Sequence, residues 1–188
     1  MQLVKYIPNE FEPNANFSLA VKRVLANEGG FVNDAADPGG ITNYGITLRF
    51  LRAHNIDLNG DGIIDEQDII DMTIEQAIWI YRRFIWELNN YGRFESPGVV
   101  VKIFDMGVNM GESQATKLLQ RAINMLSNPD IVVDGVRGPK TLEKANALNH
   151  FDLLHEIRLQ CMAFYKSLVV KRPSSQKFLK GWLIRAAQ

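Results

Sequence analysis

Glu28 closes an apolar helical stripe and opens a glycine-crowded segment. It follows Phe17, Val21 and Val24 at steps of four, three and four, which places its carboxyl on the core side of one predicted helix. Two effects hold a carboxyl in such a place protonated. Partial burial disfavours the carboxylate, and a helix C-terminus presents free carbonyls that repel a second negative charge. A carboxyl kept neutral near pH 7 is a general acid, able to protonate a leaving oxygen. The plainer alternative is a glutamate at a frayed helix end, turned to water. From Gly29 through Thr47 stand five glycines, two aspartates, one proline, two threonines and one tyrosine. Glycine and proline at that density predict a shaped loop or a small hairpin within residues 31–46, not a helix.

A second constellation runs from Asp57 to Asp68, twelve residues that hold five acids. Asp57, Asn59 and Asp61 supply oxygens at positions 1, 3 and 5, a glycine follows at 6, and Ile63 offers a backbone carbonyl at 7. Ile64 is the apolar anchor at position 8, and Asp65 at position 9 acts through a water. Position 12 is Asp68 rather than glutamate, which resembles dockerin loops more than calmodulin-type hands. This EF-hand-like pattern predicts one structural Ca²⁺ on Asp57, Asn59, Asp61, Ile63 and Asp68. Like charges packed so closely repel one another unless a cation intervenes; without one, the segment is an acidic surface turn.

Helical periodicity must position both constellations. One helix is predicted over Phe17–Leu25, with Asn16 as its N-cap and Gly29-Gly30 as its end. A second covers Thr47 to about Ile56. Thr73-Ile74-Glu75-Gln76 reads as a capping box for a helix through Leu88, with Ile74, Ala77, Ile78, Tyr81, Ile85 and Leu88 facing the core and Trp79 and Trp86 on another face. Further helices are predicted over residues 98–109, 112–126, from Pro139 onward, over 151–171 and over 178–187. Ile131-Val132-Val133 is a candidate short strand. The amphipathic pattern pauses near Asn89–Pro97. Residues 1–95 are therefore expected to form a catalytic region and 96–188 a helical C-terminal region, packed as one compact unit. The expected fold class is all-α, mainly helical.

The chain has 188 residues, is 46% hydrophobic and 22% charged, and carries zero formal net charge, as an ordinary globular protein does. Charge is uneven, with a net of −6 over residues 1–139 and +6 over 140–188. A neutral balance and the lack of a matching motif exclude nucleic acid as an expected partner. His54, His150 and His155 form no ligand-spaced set, and no His-Glu-x-x-His occurs, so metal-hydrolase chemistry is not expected. The single cysteine, Cys161, is expected to be a small buried hydrophobe and excludes an intramolecular disulfide. The first ten residues lack a continuous apolar run, so no secretory signal is expected, and no stretch of 18 apolar residues offers a membrane span. If the target lies outside the cytoplasm, something else must deliver the protein there.

Glu28-Gly29-Gly30-Phe31, then Asp37-Pro38-Gly39-Gly40, then Thr42-Asn43-Tyr44-Gly45-Ile46-Thr47 resembles the signature of the glycoside hydrolase family 108 muramidases, a family that includes phage endolysins and secretion activators. Phe31 replaces the tyrosine usual after the two glycines. The resemblance continues through Phe104-Asp105-Met106-Gly107-Val108-Asn109, Leu119-Gln120, Val133-Asp134-Gly135, Gly138-Pro139-Lys140-Thr141 and Gly181-Trp182-Leu183-Ile184-Arg185, and so spans about residues 16–187. It implies a lysozyme-like helical enzyme that cuts the β-1,4 bond between N-acetylmuramic acid and N-acetylglucosamine in peptidoglycan, with Glu28 as the catalytic acid. With no secretory signal expected, it also implies synthesis in the bacterial cytoplasm and action in the periplasm or wall, after holin release or dedicated export.

A second carboxylate is less defined. Asp34 and Asp37 are the nearby acids, and Asp37 can equally cap its turn. Thr42 is expected to orient water, and Tyr44 to stack on or hydrogen-bond a sugar; both can instead simply knit the loop. Residues 118–141 resemble a small peptidoglycan-binding motif, or else a helix-turn-helix scaffold. Trp86 and Trp182 are candidate sugar platforms, although tryptophan is more often core. Two rival readings stand beside the muramidase: a lytic transglycosylase, which shares the acid but leaves an anhydro-sugar, and a non-catalytic peptidoglycan-binding or secretion-helper protein.

Overall fold

The computed structural model describes residues 2–27, 41–128 and 131–188. The chain divides into two compact units, 1–88 and 89–188. Helices dominate both, as the periodicity predicts.

In the first unit, strand β1 (Val4–Lys5) precedes helix α1 (Ala15–Asn27). Helix α1 buries Phe17, Ala20, Val21 and Val24, the predicted stripe. Its N-cap is Asn14, not Asn16: the Asn14 side chain accepts the Phe17 amide at 2.8 Å. Strands β2 (Thr42–Asn43) and β3 (Ile46–Thr47) pair antiparallel. Thr47 then caps α2 (Leu48–His54), accepting the Phe50 amide. Strand β4 (Ile56–Asp57) runs parallel to β1, a pairing that no local pattern announces. Short helix α3 (Glu66–Ile70) follows, and then α4 (Ile74–Ile80) behind the predicted Thr73/Gln76 capping box.

From Tyr81 to Glu87 the helix is π-wound. Hydrogen bonds there reach one residue further than in an α-helix, so later side chains rotate off the α-helical face. The predicted core face differs both before and within this segment. Ile74 and Leu88 are exposed, while Trp79, Tyr81 and Trp86 are buried. Trp86 packs edge-on against Phe17 of α1, and Trp79 against Tyr6 of the N-terminal arm. Trp86 is only 1% exposed and cannot act as a sugar platform.

In the second unit, α5 (Pro97–Met110) begins with Ser96 as N-cap and Pro97 at its first position, where the missing N–H costs nothing. It packs on α6 (Glu112–Leu126); α8 (His150–Lys171) packs on both α6 and α9 (Leu179–Ala187), and α7 (Pro139–Ala147) completes the unit. Cys161 is buried on α8, as expected. Residues 131–133 form no strand. The Asn124 side chain of α6 takes the place of a neighbouring strand, donating to the Ile131 carbonyl at 2.7 Å and accepting its amide at 3.3 Å.

Two polar clusters tie the second unit together, and both use residues of the signature. Arg185 of α9 forks onto Asp105 of α5, its Nη2 2.9 Å from Oδ1. Lys102, buried one turn away, donates to the Arg185 carbonyl at 2.7 Å, and burial pushes its ammonium pKa down. The second cluster centres on Arg137. Its guanidinium lies 4.1 Å from the centre of the Tyr91 ring and donates to Glu112 Oε2 at 3.1 Å and to Thr116 at 3.2 Å. The Tyr91 hydroxyl donates to the same carboxylate at 2.8 Å. Gly107 makes room for this cluster, since a Cβ there would collide with both the Tyr91 hydroxyl and the Glu112 carboxylate. Burial raises the Glu112 pKa, against the opposing pull of the Arg137 charge and of hydrogen bonds from Tyr91 and Arg137.

Arg137→Met should cost the intact chain about 1–3 kcal/mol in urea denaturation, because it takes the charged partner from a half-buried carboxylate. Adding Glu112→Gln should recover part of that loss. Because the folded pKa of Glu112 lies above its ordinary 4.5, the folded protein holds more protons between the two values. That contribution to stability is present below the ordinary value and is lost as pH rises through the interval. Glu112→Gln should abolish this slope in a pH series of denaturation midpoints.

Candidate active site and associated loops

Of the residues expected to do chemistry, Glu28 and Asp37 lie outside the described residues, as does Asp34. Thr42 and Tyr44 are described, and they sit two residues apart on the β2–β3 hairpin. The two-residue turn between the strands is Tyr44-Gly45, with φ of 48° and 76°. Both angles are positive, as a type I′ turn requires, and this turn matches the twist of antiparallel strands. A tyrosine in the left-handed region is uncommon and needs support. Tyr81 supplies it, its hydroxyl donating to the Tyr44 carbonyl at 2.8 Å. Asn43, buried between Thr42 and Tyr44, donates to the Ile69 carbonyl of α3 at 3.1 Å. The Leu48 amide donates to the Ile41 carbonyl at 3.2 Å and closes the base.

The hairpin is thus fixed at its tip, middle and base, and Thr42 and Tyr44, each half-buried, are carried on a held frame. Sequence reasoning singled out those two residues and missed the pair that holds them. Asn43 stood inside the same motif, and the alternation of its neighbours was the available signal. Tyr81 was read as core, and its hydroxyl role has no sequence signal at all.

The 57–68 loop is held together by its own polar side chains. Asp57 and Asp68 are almost fully buried. Asp57 accepts the Gly60 amide at 2.7 Å and the Gly62 amide at 3.0 Å. Asn59 accepts from Asp61, and Asp61 from Ile63. Asp68 reaches back to accept the Leu58 amide at 2.8 Å and the Asp65 amide at 3.0 Å. Asp65, expected at a water-mediated position, is the N-cap of α3, and Asp65 and Asp68 form a capping box. The donor set is all oxygen, which suits a hard cation. A carboxylate keeps acceptor capacity beyond two amides. Among the described residues, however, no three His, Cys, Asp or Glu side chains converge to hold a metal. Asn59, Asp61 and Ile63 lie on the exposed side of the loop. The chemistry of the donors therefore fits calcium, while the carboxylates serve backbone amides.

In the second unit, the Asp134-Gly135 turn is clamped from α6. Gln120 donates to Asp134 at 2.8 Å and accepts the Gly135 amide at 2.9 Å. Gly135 has φ of 83°, and a Cβ there would collide with Ser113. These contacts build a scaffold. Trp182 is half-buried and stacks between Tyr165 and Phe178, with ring centres 5.2 and 5.8 Å away.

Residues 21–111 match the glycosyl hydrolase 108 family, and residues 114–187 match the predicted peptidoglycan domain family. No curated protein matches the chain. Among solved structures, SagA of Brucella abortus is similar, with 29% identity over 91% of this chain and 89% of that one, and a TM-score of 0.71. The hairpin and the 57–68 loop both fall within the first matched region, and the Arg137 and Gln120 clusters draw on the second. The chain is helical and lysozyme-like, and its match to glycosyl hydrolase 108, followed by one to a predicted peptidoglycan domain, indicates a glycoside hydrolase.

Proposed function

We propose that this protein is an N-acetylmuramidase, hydrolysing the β-1,4 bond between N-acetylmuramic acid and N-acetylglucosamine in peptidoglycan. The observation that carries the reading is the tandem match: a glycosidase region that includes Glu28, Thr42 and Tyr44, joined to a peptidoglycan domain. Glu28 is the general acid and passes its proton to the glycosidic oxygen as that bond breaks. A water adds to the anomeric carbon and gives up a proton to solvent, from which the Glu28 carboxylate is protonated again. Thr42 orients that water by its hydroxyl, Tyr44 holds a sugar from the hairpin tip, and Asp37 contacts the glycan. The support for Thr42 and Tyr44 is the rigid hairpin, since catalytic groups must be held close to their productive geometry. Delivery to the wall is by holin release or a dedicated exporter.

The 57–68 loop in this reading takes one structural calcium ion through Asp57, Asn59, Asp61, Ile63 and Asp68. Bound there, the ion neutralises the crowded acids and braces α2 against α3. It takes no part in proton transfer.

Purified peptidoglycan digested by the wild type should yield reducing muramic acid ends by mass spectrometry. Glu28→Gln should lower turnover by at least about 10²-fold. Anhydro-muramic ends would instead assign a lytic transglycosylase, and equal turnover by the variant would remove Glu28 from the mechanism. Calcium should raise the thermal midpoint by mass action, about 2.7 kcal/mol at a hundred times the dissociation constant, and Asp61→Ala should erase the rise. An unchanged wild-type midpoint at millimolar calcium would retire the ion.

A further inference from the structure

A cavity of about 270 Å³ opens at the N-terminal end of α1, lined by Phe11, Phe17, Trp79, Glu12, Glu75 and Arg82 among others. Helix α1 ends at Asn27, ten residues beyond Phe17, which is about 15 Å at 1.5 Å per residue. The cavity is therefore distinct from the C-terminal end of that helix. Its size is just below the roughly 300–1,000 Å³ of sites for drug-sized ligands, so it suits a small head group.

Arg82 is the unusual member of the lining. Its side chain is only 13% exposed. The guanidinium lies over Phe11, Phe17 and Trp86, at 5.5, 5.1 and 5.9 Å from the ring centres. Among the described residues its ion-pair partner is Glu87, whose Oε1 is 2.6 Å from Nε. That contact lacks hydrogen-bond geometry, and Nε is buried with no hydrogen bond. A largely desolvated guanidinium with donors left over is a receptor for a planar carboxylate, which it can grip with two parallel bonds. An anion alone does not suit the rest of the lining, because Glu12 and Glu75 stand exposed at the same cavity. Glu10, the third acid there, is already engaged by the Trp79 indole and by Arg83. Both signs of charge are thus on offer, beside aromatic walls that favour a cation.

We propose that this cavity binds an amino-acid head group, with the carboxylate on Arg82 and the ammonium facing Glu12 and Glu75. Such groups occur on the diamino acids of peptidoglycan stem peptides, and that source rests on the function proposed above; a free amino acid presents the same chemistry.

Calorimetric titration of the intact protein with meso-diaminopimelate tests the proposal. Pimelate, which lacks the ammonium groups, and cadaverine, which lacks the carboxylates, should each bind at least about tenfold more weakly, a difference of about 1.4 kcal/mol. Arg82→Met should lose binding by a similar factor. Glu75→Gln, an exposed change that leaves the fold intact, should weaken it several-fold and decides the matter if Arg82→Met unfolds. A disaccharide tetrapeptide with a free diamino acid end distinguishes the sources: binding of it assigns the stem peptide, and binding of the free acid alone assigns a small metabolite. No heat at 10 mM (about 2.7 kcal/mol of binding free energy), equal binding of the two control compounds, or unaltered binding by both variants overturns the proposal. Turnover of peptide-free glycan, measured in parallel, reads the muramidase reaction separately, so either conclusion can fall alone.

Discussion

A loop drawn into a protein interior must find partners for its N–H and C=O groups, because each one left bare costs about 1–3 kcal/mol. In this chain helices occupy most of the interior, and strands are too short to satisfy the loops. Single polar side chains do so instead. Tyr81 serves the Tyr44 carbonyl, Asn43 the Ile69 carbonyl, Asn124 both polar groups of Ile131, Gln120 the Gly135 amide and Lys102 the Arg185 carbonyl. The same rule governs the 57–68 loop, where Asp57 and Asp68 hold five amides between them. Each loop is then as well fixed as the helix that supplies its partner.

This constraint bears directly on function. A glycosidase must hold its water and its sugar to within a fraction of an ångström, and loops do so only if their backbones are pinned. The hairpin that carries Thr42 and Tyr44 is pinned by Tyr81 and Asn43, as the roles proposed for those two residues require. The acidic loop is pinned as well, with two buried carboxylates folded inward onto amides. An ion bound there would share oxygens that also serve the backbone amides of the turn. The Arg137 cluster is the equivalent device in the second unit, joining Tyr91, Glu112 and Thr116 around one guanidinium.

Several signature residues owe their place to architecture. Asp105 and Arg185 are far apart in sequence and form one ion pair between α5 and α9. Gly107 is a glycine because Tyr91 and Glu112 crowd it. Gln120 and Asp134 clamp a turn. Motif residues that are neighbours along the chain thus find their partners far away in sequence. The tryptophans make the same point. Trp79 and Trp86 were set apart from the core by α-helical spacing, but the π-wound segment turns Trp86 inward against Phe17 and the N-terminal arm covers Trp79.

Local order was legible in the residues themselves. The stripe of α1, the Thr73 capping box, proline at the start of α7, and the acid-glycine spacing of the 57–68 loop depend on neighbours within about a dozen positions. Physics over that range is governed by helix period, caps and turn propensity. What tertiary structure decided is whatever needs a partner from elsewhere: the β1–β4 pairing, the support of Tyr44 by Tyr81, the burial of Trp86, and the stacking of Arg82 on rings from two other segments. Spacing along a chain says which face a side chain occupies. It does not say what will cover that face, because burial and desolvation depend on surfaces that meet only after the chain has folded.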